Sequence, residues 1–88
     1  MTQSERVNLL KNEIPKLKDE IINRSKNAAE GRTRVIVTEE LSITILDQNQ
    51  YNTKKLISFT WGEITEKKFQ SELKEAIRRE EQYVEVND

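Results

Sequence analysis

Histidine and cysteine are both absent from the 88 residues. Their absence removes Ser–His and Cys–His nucleophiles. It also removes the imidazole and thiolate ligand sets of zinc, copper and iron. What remains is oxygen chemistry from sixteen acids and cationic chemistry from fifteen Lys and Arg. An all-oxygen set suits calcium, and "DQNQYN" from Asp47 begins like an EF-hand loop, with Asp and Asn at its first and third positions. Tyr51 and Asn52 then stand where an oxygen ligand and a glycine belong, and Ser58 replaces the bidentate Glu. The stretch reads as a polar loop, and no metal or cofactor is expected. A Ser–Lys or two-carboxylate site has the raw material, yet no pair is singled out. The alternation in "ELKEAIRRE" is that of a solvated helix with i,i+4 pairing. Two glycines in the whole chain leave no phosphate-cradling loop. The expectation is a protein that is not an enzyme.

Cations offer a second kind of chemistry. Arg32, Arg34, Lys54, Lys55, Lys67 and Lys68 are the candidate nucleic-acid contacts. The net charge of −1 opposes a general nucleic-acid binder, which needs a basic excess to displace counterions. The charge is nevertheless uneven. Residues 1–34 hold eight Lys/Arg against five Asp/Glu, whereas the last nine residues hold four acids and no base.

A third feature is apolar. In "VNLLKNEIPKLKDEI", Val7, Leu10, Ile14, Leu17 and Ile21 recur three and four apart, the spacing of a helix seam that seeks a partner. Pro15 interrupts it. Val7, Leu10, Ile14 and Leu17 are therefore the candidate protein interface. Residues 1–14 would be a helical arm for another protein or a second copy, hinged at Pro15 on a core of residues 15–80.

These side chains must be positioned by secondary structure. Thr2, with Glu5 three residues on, makes a capping box for a helix over about 3–12. Pro15 suits the first turn of a second helix over about 15–29, with Gly31 available to end it; a single helix bent at Pro15 is the alternative. From Arg32 the period becomes two. Val35 and Val37 share a face opposite Arg34, Ile36 and Thr38. Leu41, Ile43 and Ile45 oppose Ser42 and Thr44. Ile57, Phe59 and Trp61 oppose Leu56, Ser58 and Thr60, which directs the aromatics to the core rather than to a base-stacking platform. "DQNQYNT" is expected to join the second and third strands as a hairpin. Glu39-Glu40 lacks the Gly or Asn of a tight hairpin, so it reads as a weak turn, a bulge in one long strand, or a helical turn. Gly62 ends the strands. Thr65 caps a last helix, Ile64 and Phe69 form its hydrophobic staple, and Phe69, Leu73, Ala76 and Ile77 make its apolar face. Residues 81–88 read as an acidic tail or a short terminal strand.

The result is one α+β domain over 1–88. A three-stranded antiparallel sheet is covered by helices on one face, in the order α(α)-β-β-β-α. That order resembles the double-stranded RNA-binding domain, a family that uses lysines at the start of its last helix. Lys67 and Lys68 occupy that place here. Glu63 and Glu66 flank them, however, and the alanine-rich helix start is missing, so the likeness is one of element order alone.

Leu, Ile, Val and Phe number 23 of 88. That is enough for a folded core but leaves a monomer marginal and favours association. The N-terminus lacks a signal peptide's basic start and apolar run, and no apolar stretch is of membrane-spanning length. A cytoplasmic location is expected. The functional expectation is a non-enzymatic protein-interaction module or small regulator, of the size of phage and mobile-element accessory proteins. Nucleic-acid binding is the alternative.

Overall fold

The computed structural model describes residues 1–26, 33–47, 54–59 and 62–87. Helix α1 spans Gln3–Asn12 and is followed by a 3-10 turn at Ile14–Leu17 and helix α2 at Lys18–Lys26. Strands β1 (Thr33–Thr38), β2 (Ile43–Asp47) and β3 (Lys55–Phe59) come next, then helix α3, Glu66–Asn87. The domain is α+β, with helices on one face of a three-stranded antiparallel sheet.

Local chemistry sets the helix ends. Thr2 Oγ1 accepts from the Glu5 amide at 3.1 Å, and the Glu5 carboxylate accepts from the Thr2 amide at 3.3 Å. This capping box satisfies amides that have no partner inside the helix. Pro15 cannot donate an amide hydrogen and tolerates only the start of a helix. The α-helix accordingly ends at Asn12, and the chain tightens into a 3-10 turn with Pro15 in its first positions. The seam is thus two helices rather than one bent rod. The rest of the expected second helix, residues 27–29, and Gly31 lie outside the described residues. At α3 the Lys68 amide donates to Thr65 Oγ1 at 3.1 Å, while Ile64 and Phe69, the two ends of the staple, are fully buried.

Strand β1 lies in the centre, in the order β2-β1-β3. This corrects the expected hairpin at "DQNQYNT". β2 ends opposite Thr33 and β3 begins opposite Thr38, so the two do not pair. A polar, turn-rich connection has the same composition whether its strands are neighbours or are separated by a third. The hairpin lies instead at Glu39-Glu40, between β1 and β2. There Thr38 N–H donates to Ser42 O at 3.0 Å and Leu41 N–H to Thr38 O at 2.9 Å. Leu41 takes a φ of 65°, the left-handed position that closes a three-residue loop, while its side chain packs against the core.

Val35, Val37, Ile57, Phe59, Leu10, Ile14, Ile21, Ile64, Phe69, Leu73 and Ala76 form one buried cluster. Phe59 and Phe69 stack with ring centroids 5.5 Å apart, joining sheet to α3. Leu56 joins this cluster although strict alternation points it outward. The register shift between Val37 and Thr38 leaves Leu56 as an extra residue in β3, and this bulge buries it beside Ile57. Buried Ser25 accepts from the Ile64 amide at 3.0 Å and donates to Ile22 O at 2.8 Å, tying α2 to the entry of α3. Residues 81–87 continue α3 rather than form a terminal strand.

Candidate functional site

Leu10 and Ile14 are fully buried in the core, and Val7 and Leu17 are half-buried. The expectation of a free arm over 1–14 is therefore corrected. α1 packs on α3 and β3, so its seam is satisfied within the chain. Three-four spacing records burial on a helix and does not distinguish a partner from the helix's own domain.

Arg6 adds a polar tie to that packing. Its Nη1 meets Glu39 Oε1 at 2.6 Å, its Nη2 and Nε meet Glu80 Oε1 at 2.9 and 3.1 Å, and Nη2 also donates to the Lys55 carbonyl at 3.1 Å. Burial opposes the guanidinium charge, but hydrogen bonds and charges from Glu80 and Glu39 outweigh it and raise the Arg6 pKa. One side chain thus joins α1, the β1–β2 turn, β3 and α3. Nothing in the sequence signals it, because Arg6 and Glu80 are 74 positions apart.

Of the cations nominated from sequence, Arg34 and Lys55 line one groove of about 540 Å³ between β3 and α3, together with Arg6 and Arg79. Glu72, Glu75 and Glu80 line it too, so the groove is mixed in charge rather than basic. Two of these acids hold cations, Glu80 through Arg6 and Glu75 through Arg78 at 2.5 Å. Hydrogen bonding from Arg78 holds the Glu75 carboxyl below its ordinary range, the reverse of what a general acid needs. Lys54 is exposed just before β3. Lys67 and Lys68 lie on the first turn of α3, where Lys68 is half-buried, and neither lines the groove. Arg32 lies outside the described residues, as do Trp61 and residues 48–53. Among the described residues no three His, Cys, Asp or Glu are placed to hold a metal ion. No helix among them is long and apolar enough to cross a membrane.

The remaining surface of note is the β2 edge of the sheet. Helix α2 packs on β1, while α1 and α3 pack on β3. Along β2 the apolar face runs out from under the helices. Ile43 is half-buried and Ile45 is 37% exposed, although both share the core face with Val37 and Val35. Among the described residues β2 is also an open edge. The Thr38–Ser42 hydrogen bond fixes the phase of the ladder. Ser42, Thr44 and Leu46 turn their backbone groups to β1, and Ile43, Ile45 and Asp47 turn theirs outward. The strand keeps an unbroken register over five pairs, and Ile43 to Leu46 include no charge and no proline. Edge strands usually carry a bulge, a lysine, a proline or a covering element. β2 has none of these among the described residues. Alternation in "LSITIL" revealed the apolar face in advance, but the position of β2 at the sheet edge was hidden by the misassigned hairpin.

Comparison with protein-family models, curated proteins and solved structures finds no match to this chain.

Proposed function

We propose that this protein is a non-catalytic protein-interaction module that works as a small regulator by occupying a partner, and that it receives that partner along β2. The carrying observation is the combination at one edge of outward backbone groups and an exposed Ile45. Main-chain bonds supply affinity in strand addition, and alternate side chains supply selectivity. A photo-crosslinking side chain at position 45 tests this in an extract of the source cell. Discrete protein adducts are expected from position 45 and not from exposed Gln70 on α3. Equal yields from the two positions would contradict the reading. Nucleic-acid binding is the second reading, favoured by the meeting of Arg34 and Lys55 with Arg6 and Arg79 in one groove. Its test is a gel shift at two salt concentrations, with binding that weakens steeply as salt rises.

A further inference from the structure

Resting on the protein-binding reading, we infer that the occupant of the β2 edge is a second copy of this chain, paired antiparallel about a two-fold axis at Ile45. Three observations select this arrangement.

The first is the phase of the strand. Backbone groups at Ile43, Ile45 and Asp47 point outward, and an antiparallel neighbour must present groups of the same phase. With the axis at Ile45, Ile43 faces Asp47 of the second copy, Ile45 faces Ile45, and Asp47 faces Ile43. All three outward residues then bond, which completes a six-stranded sheet. Moving the axis to Thr44 pairs Asp47 with Leu41, whose amide is already given to Thr38 O.

The second is facing. Residues opposite each other across a ladder point to the same side, so this register keeps both helical layers on one face. The most exposed isoleucine of the sheet meets its own copy at the axis, with Ile43 of each chain diagonal to it.

The third is charge. Ile43 to Leu46 are uncharged and the two Asp47 residues fall at opposite ends, so like charges do not meet. The contact is isologous and closes after two copies, and no bare β2 edge remains for further addition. It is also small. A single strand covers well below the ~800 Å² per partner of a stable interface, so the dimer forms and dissociates with concentration.

The chain has no cysteine, so one introduced thiol per variant reports proximity directly. Opposite Cα atoms in a hydrogen-bonded pair lie about 5.5 Å apart, inside the ~4.4–6.8 Å range of disulfides. The Thr44 pair would lie diagonally at ~7–8 Å. Under mild oxidation, Ile45→Cys is expected to form covalent dimer at least about tenfold faster than Thr44→Cys or Gln70→Cys. Equal rates, or Thr44→Cys ahead, would overturn the arrangement. Because Ile45→Cys trims the contact itself, sedimentation of the unsubstituted chain accompanies it. Its mass should rise from one chain towards two with concentration, while Ile45→Lys keeps the single mass and the same circular dichroism spectrum. A chain monomeric at every concentration, whose position 45 nevertheless crosslinks to other proteins, overturns the second copy and leaves the binding reading standing. An inert position 45 ends both.

Discussion

The two edges of the sheet are built from similar five-residue strands and meet opposite fates. β3 is sealed. It carries a bulge, α1 and α3 pack on it, and Arg6 holds the Lys55 carbonyl while pairing with Glu39 and Glu80. β2 is regular and uncharged from Ile43 to Leu46, and although Ile43 reaches the core, Ile45 stays 37% exposed. Both strands alternate as sequences, and only β3 is closed by residues distant in the chain. A short strand is therefore not protected by its own composition. Protection comes from what the rest of the fold brings to it.

The largest test of this contrast falls on the sealed side. Leu10→Ala is expected to destabilise the chain by about 2–5 kcal/mol through a cavity under α1, measured by urea unfolding. A loss near zero would return α1 to the status of a free arm. Next comes Arg6→Met, which strands Glu39 and Glu80 in a half-buried site where Glu80 Oε2 already has no hydrogen-bond partner. Full burial would give a loss of about 3–5 kcal/mol, and the partial exposure here reduces that to about 2 kcal/mol. An unchanged midpoint would show that the network does not hold the β3 flank. Thr65→Ala removes the cap of α3 and should cost about 1 kcal/mol, read in the same denaturation series.

On the open side the expected pattern reverses. Ile45→Lys should change stability in dilute solution by less than about 0.5 kcal/mol yet abolish concentration-dependent association. A variant that unfolds would mean that Ile45 supports the core. The smallest effect concerns pH. Hydrogen bonds from the Thr2 hydroxyl and amide hold the Glu5 carboxyl below its ordinary range. A lowered folded-state pKa contributes stability above the ordinary glutamate range, and that contribution is lost as pH falls through the folded value. Glu5→Gln keeps the capping geometry and removes this dependence, so its melting temperature should fall less than the parent's on acidification.

Much of the fold could be read from the sequence because its signals are local. The Thr2–Glu5 box, the break at Pro15, the Thr65 cap with its Ile64–Phe69 staple, and the change of period after Arg32 all depend on neighbours within a few positions. What could not be read depends on distance. Strand order is set by packing across the chain, so "DQNQYNT" suggested a hairpin that Glu39-Glu40 makes instead. Leu56 turned inward because a bulge in β3 shifts the register against β1. Ser25, an unremarkable polar residue on α2, gained its role from the Ile64 amide 39 positions away. The candidate interface moved for the same reason. Val7, Leu10, Ile14 and Leu17 have the spacing of an interface, but Leu10 and Ile14 are consumed by the core. Ile43 and Ile45 stood out only once β2 was placed at the rim.

Amide hydrogen exchange followed residue by residue across a dilution series measures both edges at once. In dilute solution the Thr44 and Leu46 amides, bonded to β1, should be protected while those of Ile43, Ile45 and Asp47 exchange freely. Raising the concentration should then slow these last three together. Protection at Ile43 and Ile45 that persists at the highest dilution, or free exchange that persists in concentrated solution, would contradict an open edge filled by a second chain.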